Sequence, residues 1–376
     1  MPAAGPLRLF ILAGEPSGDR IAADLVRRLR RHGTVALSGV GGEELIGEGL
    51  VPLYPMSDLA VMGLKDVLMR LPLLLWRISE TARFILREKP DIVVLVDAQE
   101  FSARLAKKLR AGRFAGPILL YVAPSVWARH PERAARLKPL FDEVLAVLPF
   151  EPEIMQRLGG PETSYVGHPA LAELGEGADE SARRIALLPG SRGGELRRHL
   201  PLFRSVVAEL AAQRPDCSFY MPTLPILAEQ LRAAVADWPV PVEIVPERER
   251  RKQLYGETLL ALIASGTATL ELALAGVPMV VTYVMEGVQA RYYEKLGRPR
   301  VGLPNIILGA DVTPEIILPS ADPAPVLAAT EALLADAGER EKQREAFANL
   351  RELMHSGAPG FPRQDAAERV LARVEK

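Results

Sequence analysis

The sequence predicts an α/β protein made of two consecutive Rossmann-like halves and a helical tail. Three observations carry that prediction. Short, nearly uninterrupted apolar runs alternate with helical patterns, as in parallel sheets buried on both faces. The succession strand, glycine turn, helix opens the chain at Leu7 and begins again at Ile185. With 376 residues, 48% hydrophobic and 25% charged, the chain has the globular average composition and enough length for two cores.

In the first half, Leu7 to Ala13 reads as a buried strand, and Gly14-Glu15-Pro16-Ser17-Gly18-Asp19 as the turn feeding a helix with Ile21, Leu25 and Leu29 on its apolar face. That turn lacks the three-glycine dinucleotide fingerprint, which argues against an NAD site. Ser38 to Gly42 ends a second strand in glycines, the mark of a close backbone approach. Leu59 to Trp76 crowds apolar residues together with Lys65 and Arg70 as its cations. It reads either as a core helix interrupted at Pro72 or as an amphipathic segment that meets lipid or an acyl chain. Pro90 to Val96 is a strand with Asp97 at its carboxyl end, the edge where open α/β sheets collect ligands. Asp97 is therefore placed either to act on a substrate or to cap the next helix. Ile118 to Val122 is the following strand, then a turn with Ser125 and Trp127, and the strand Glu143 to Leu148 closes the half.

In the second half, Ile185 to Leu188 leads into the glycine turn Pro189 to Glu195 and a long helix to about Ala212. Arg192 in that turn suits bidentate contact with a pyrophosphate, although a surface ion pair would use the same residue. Cys217 to Met221, Val242 to Val245 and Leu259 to Ala264 read as further strands. The stretch Leu259 to Val281 is the most informative in the chain: strand, the small turn Ser265-Gly266-Thr267, a helix through Leu274, and another strand after Gly276 and Pro278. A helix beginning there offers the N–H groups near Ala268 and two hydroxyls to a phosphate, and Glu271, one turn deeper, suits a sugar diol. The unspecialised alternative is an ordinary capped helix. Val301 to Asn305 is another turn, and the chain after about Ala324 is helical in composition. The expected domains are 1–168, 169–340 and a helical tail 341–376, the two halves facing each other across a cleft in the GT-B manner.

Composition excludes several classes. A net charge of -1, from 46 basic and 47 acidic residues, gives no global case for nucleic acid. The single cysteine, Cys217, cannot form an internal disulfide and reads as a core residue in a reducing compartment. The N-terminal apolar run is too short for a signal peptide, and no segment has the length of a membrane span, so a cytoplasmic protein is expected.

Ten blocks together resemble the lipid-A-disaccharide synthases: Ala13 to Asp19, Leu59 to Leu68, Lys89 to Ala98, Val122 to Ala128, Leu148 to Glu151, Val166 to Pro169, Leu187 to Glu195, Ala264 to Leu274, Pro278 to Tyr283 and Leu303 to Asn305. They stand in the family's order. The resemblance implies a metal-independent, cofactor-free, inverting glycosyltransferase that moves an acylated glucosamine from a UDP donor to an acylated glucosamine 1-phosphate. It implies Asp97 as the base and Arg192, Ser265, Gly266, Thr267 and Ala268 on the donor. Glu271 would lie on the ribose and Asn305 near the uracil or diphosphate, Glu15, Ser17, Ser125 and Trp127 would border the acceptor, and the C-terminal tail would cross to the first half or to a partner subunit. Because both substrates carry acyl chains, Val61, Met62, Leu64, Val67, Leu68, Met69, Leu73, Leu74 and Trp76 are expected to face lipid, with peripheral contact to the inner membrane and a monomer or homodimer. The chain departs from the family at Gln99-Glu100, where a Pro-Asp-Phe-Asn run is usual, and at Arg129, where a tryptophan is usual. These departures keep two rivals in view, another lipid-directed GT-B enzyme and a UDP-sugar binding protein without turnover.

Overall fold

The computed structural model describes residues 5–59, 64–173 and 183–375, the side chains of 64–68, 172 and 173 excepted. The chain divides into two compact units, Met1–Pro169 together with Leu353–Lys376, and Ala170–Glu352. The last residues thus complete the first unit.

The first unit runs β1 (Leu7–Ala13), α1 (Pro16–Arg30), β2 (Val35–Val40), α2 (Glu43–Gly47), α3 (Leu64–Glu88), β3 (Ile92–Val96), α4 (Gln99–Ala111), β4 (Ile118–Tyr121), α5 (Glu132–Leu137), β5 (Glu143–Ala146), α6 (Glu151–Arg157) and β6 (Thr163–Tyr165). Its six strands form one parallel sheet in the order β2-β1-β3-β4-β5-β6. Every residue of β3 is buried, which is why its sequence reads as a continuous apolar run rather than an alternation.

The second unit contains α7 (Ala170–Glu173), β7 (Arg184–Leu188), α8 (Gly193–Gln213), β8 (Ser218–Pro222), α9 (Ala228–Val235), β9 (Val242–Val245), α10 (Arg248–Gly256), β10 (Thr258–Ala264), α11 (Ala268–Leu274), β11 (Met279–Val284), α12 (Gly287–Lys295), α13 (Leu303–Leu308), β12 (Glu315–Leu318) and α14 (Pro323–Ala335). Its parallel sheet has the order β12-β11-β10-β7-β8-β9. Cys217 is half-buried and packs against this unit's core. After α15 (Ala337–Ser356) come the short hairpin β13 (Gly357–Ala358) and β14 (Phe361–Pro362), and then α16 (Ala366–Val374).

The tail is fixed to the first unit by polar contacts as well as packing. The Tyr165 hydroxyl donates to the Met354 carbonyl at 2.6 Å, and Arg28 pairs with Asp365 at 3.1 Å. Arg369 and Arg373 of α16 each reach the fully buried carboxylate of Glu143, at 2.7 and 2.6 Å. A buried charge of this kind persists only when paired.

The segment at α3 corrects one sequence expectation. The helix does not break at Pro72 but runs through it. Pro72 is exposed, so water can satisfy the carbonyl that loses its partner. From Leu74 onward the inner face, with Ile78, Ala82 and Ile85, is part of the core cluster. Of the residues expected to face lipid, Met69 and Trp76 are exposed, 75% and 49%, as are Leu71 and Leu75. Leu74 instead packs on the core and Leu73 is half-buried, because the helix has by then reached the sheet. Val61 and Met62 lie outside the described residues, as do the side chains of Leu64, Val67 and Leu68.

Candidate functional site

In each sheet the chain reverses its direction of winding once. In the first unit it leaves β1 toward β2 on one side and returns as β3 toward β4 on the other; in the second, β7 and β10 are the corresponding neighbours. The crevice beyond the carboxyl ends of such a strand pair is where open α/β sheets bind ligands. The short turn Gly14–Glu15, which feeds α1 directly, and Asp97–Ala98 leave the first pair, and Pro189–Arg192 and Ser265–Thr267 leave the second.

Asp97 follows β3 in a left-handed backbone conformation, φ 55°, and Ala98 repeats it at φ 44°. Consecutive left-handed residues with side chains cost on the order of 1–2 kcal/mol each. The surroundings hold them there. The Asp97 N–H donates to the Tyr121 carbonyl at 2.9 Å, and the Ser102 hydroxyl donates to the Asp97 carbonyl at 2.9 Å. A Cβ at Gly14 would stand 2.8 Å from that of Ala98, so the first turn has no room for a side chain where the second passes it. Asp97 does not cap α4, which starts without a side-chain cap. Burial, and then the nearby Glu15 carboxylate, push the Asp97 carboxyl above its ordinary range, giving it a raised affinity for a proton.

Glu15, Ser17 and Ser125 are exposed at the same edge, and Trp127 is half-buried with its ring edge-on to Phe150 at 5.5 Å. The Trp127 indole N–H is buried without a well-formed hydrogen bond, and its polar influence falls on Glu151. Glu151 is buried, accepts the Leu148 N–H at 3.0 Å, and is pushed up to about 8 by burial. The residues that depart from the family have local partners. Gln99 donates to the Ala123 carbonyl at 3.4 Å, and Glu100 pairs with Arg133 at 2.9 Å. The first joins α4 to the segment that carries Ser125 and Trp127, and the second joins it to α5.

In the second unit, Arg192 immediately precedes α8 with its side chain 80% exposed, touching Glu195 at 3.1 Å. The Glu195 carboxylate accepts the N–H groups of Ser191 and Arg192 at 3.0 and 3.1 Å, so an internal anion already fills this turn. A Cβ on Gly190, whose φ is +102°, would fall 2.5 Å from that carboxylate. The guanidinium of Arg192, rather than the turn's backbone, is what remains for a ligand.

The turn after β10 is different. Gly266 and Thr267 are exposed, Ala268 is half-buried, and among the described residues the N–H groups of these three have no protein acceptor. Ser265 donates to the Val301 carbonyl at 2.7 Å, so its proton is committed to holding the next loop. Glu271 is half-buried, one turn along α11. Asn305, expected near the uracil or diphosphate, is 1% exposed. Its amide donates to the Thr313 carbonyl and to Glu315, and its oxygen accepts from Val312 and Thr313. Every polar atom of the side chain is used within the protein, so Asn305 shapes the loop and does not itself present an amide to a ligand.

The structure adds residues that pattern reading passed over. Asp19 accepts the N–H groups of Gly42 and Glu44 at 2.8 and 2.9 Å, and Glu315 accepts those of Val301 and Gly302 at 2.9 Å each. With Glu195, three carboxylates thus tie down turns at the binding edges. His199 is buried with Nδ1 donating to the Pro189 carbonyl at 2.9 Å and Nε2 accepting the Val284 N–H at 3.0 Å. The two partners dictate the neutral tautomer, and burial lowers its pKa to match. Of these residues only Glu195 carries a local signal, since it stands three positions after Arg192, the residue that caps the start of α8.

A sequence profile described as Lipid-A-disaccharide synthetase matches residues 9–360. The lipid-A-disaccharide synthase of Nitrobacter hamburgensis is 40% identical over 97% of this chain and 95% of its own. Among solved structures, the UDP-GlcNAc 2-epimerase from Neisseria meningitidis bound to UDP-GlcNAc superimposes with TM-score 0.59 at 13% identity, over 92% of this chain and 99% of that one. The calicheamicin glycosyltransferase CalG4 does so with TM-score 0.57 at 18% identity, over 99% of each chain. These structural likenesses establish the GT-B fold, two Rossmann-like domains, and the sequence likeness establishes the rest: the chain belongs to the lipid-A-disaccharide synthase family.

Proposed function

We propose that this member of the family joins UDP-2,3-diacylglucosamine to 2,3-diacylglucosamine 1-phosphate, forming a β-1,6-linked tetraacyl disaccharide 1-phosphate and UDP with inversion. The observation that carries the mechanism is the half-buried carboxylate of Asp97, held by a strained backbone at the winding reversal of the first sheet, where partial burial and Glu15 favour its protonated form. Asp97 takes the proton of the acceptor's primary hydroxyl as its oxygen bonds to the donor's anomeric carbon. The bond from that carbon to UDP breaks, and the pyrophosphate leaves with the electron pair. Charge developing there is met by the Arg192 guanidinium and by the N–H groups of Gly266, Thr267 and Ala268. Glu271 receives the ribose hydroxyls, and Asn305 keeps the adjoining loop in place. Glu15, Ser17, Ser125 and Trp127 border the acceptor.

The outward residues of α3, with Met69, Leu71, Leu75 and Trp76 exposed, support contact with acyl chains or the bilayer surface. No helix among the described residues is long and apolar enough to cross a membrane. Peripheral association with the inner membrane, as a monomer or homodimer, accords with these features.

The test is UDP release measured with UDP-N-acetylglucosamine and with UDP-2,3-diacylglucosamine, each with and without diacylated acceptor. Release that needs the acylated donor and the acceptor together supports the proposal. Equal release from the unacylated donor, or UDP-sugar binding without turnover, sinks it.

A further inference from the structure

Helix α12 stands at the carboxyl edge of β11 and has no buried residue. A nine-residue helix has little stability of its own in water, so an unburied apolar face on it calls for a partner. Val288, Tyr292 and Leu296 are exposed by 73%, 48% and 46%. They follow one another at four-residue spacing and form one stripe. Helical geometry places Lys295 and Arg291 directly beside that stripe, so that all five lie within an arc of about 140°. Among the described residues, neither cation has an ion-pair partner. The neighbouring acid Glu294 lies off this arc and pairs with Arg298 at 2.8 Å. Glu286, just before the helix, is the remaining nearby carboxylate. The opposite side carries the half-buried Tyr293, which feels the charge of Glu315. The helix therefore has an inner side toward its unit and an outer side that combines apolar groups with unpaired positive charge.

We propose that the outer face of α12 rests on an anionic bilayer, with Val288, Tyr292 and Leu296 entering the acyl boundary and Arg291 and Lys295 meeting lipid phosphates. The charge pattern selects this occupant, because a face with two unpaired cations and no acid complements an anionic surface. Its position fits as well. The helix lies between β11 and the loop 301–305 that Ser265 and Glu315 hold, so lipid contact brings the donor-binding edge to the place where an acylated donor resides. That last step rests on the substrate reading above; the lipid contact does not.

The test is partition of the full chain onto phosphatidylcholine vesicles with and without phosphatidylglycerol, without substrates. Arg291→Gln with Lys295→Gln lowers partition onto the anionic vesicles by about 25-fold, at roughly fivefold per cation, and leaves partition onto neutral vesicles unchanged. Val288→Ser with Leu296→Ser lowers partition onto both. Transfer measured on detergent-dispersed substrates stays at the wild-type rate in both variants, which shows that the fold is retained. Partition onto the anionic vesicles within about twofold of wild type in either variant overturns the inference. So does a variant that changes the oligomeric state in sedimentation without lipid, since the face would then be a contact between copies. Absence of transfer in the wild-type chain defeats the substrate reading and leaves the vesicle result standing.

Discussion

Replacing Asp97 by Asn separates a catalytic carboxylate from a structural one. The amide keeps the size and shape of the side chain but cannot accept a proton at neutral pH. Loss of a general base costs about 10²–10⁴ in rate, which is about 2.7–5.4 kcal/mol of barrier. The stability effect has the opposite sign. Because burial and Glu15 raise the folded-state pKa of Asp97, the folded chain holds this proton more tightly than the unfolded chain does. The favourable contribution is complete only below the unfolded pKa, near 3.9 for an aspartate. It is lost as pH rises through the folded value, so at pH 7 the ionised side chain is a burden on the fold. Asp97→Asn is therefore expected to be as stable as wild type or more so, with unchanged UDP affinity. Steady-state UDP release, isothermal titration with UDP and thermal unfolding at pH 7 measure the three quantities. In the wild type, the acid limb of kcat/KM is expected above the ordinary carboxylate range, because burial and Glu15 raise the Asp97 carboxyl. Turnover within tenfold of wild type refutes the base assignment, and a fall of several degrees in Tm shows that the carboxylate serves the fold.

Three further outcomes follow from the same geometry. Asn305→Ala strands the buried N–H groups of Val312 and Thr313 and should cost at least about 2 kcal/mol in denaturant unfolding; a neutral effect would mean that the loop does not depend on this amide. His199→Gln should flatten the acid side of the stability profile. With the folded pKa lowered, stability is present above the unfolded value near 6.5 and is lost below it, at up to about 1.4 kcal/mol per pH unit, and urea melts from pH 7 to 5 that keep the wild-type slope would contradict the neutral clasp. Arg369→Met with Arg373→Met leaves Glu143 buried and unpaired, which should cost about 3–5 kcal/mol, read as a lower denaturant midpoint.

Much of the site could be read in the sequence because its parts are local. β3 and β10 are buried on both faces, so their apolar runs stand out, and Asp97 and Ser265 follow them directly. The glycines of Ser38 to Gly42 were legible as a close approach, but not what approaches. A Cβ on Gly42 would meet the Asp19 carboxylate at 2.7 Å, a contact made across 23 positions of sequence. The partners of Asn305 were hidden for a related reason: its side chain is held by Thr313 and Glu315, which no spacing rule connects to it. Pro72 misled because proline's penalty depends on whether water reaches the orphaned carbonyl, and exposure is a tertiary property. The partnership of Arg369 and Arg373 with Glu143 spans more than half the chain, beyond any local pattern.

That clasp bears on how the protein emerges from the ribosome. Domains synthesised first ordinarily finish folding first. Here the opening domain waits for the final helix, which is made only after the whole intervening domain has been translated. Until then the carboxylate at the start of β5 has no counter-ion and the face of α1 that receives α16 stays wet. A nascent chain stalled before Arg369 should present a native-like second domain beside a loosened first one, and release from the stall should restore protease resistance to the oldest part of the molecule.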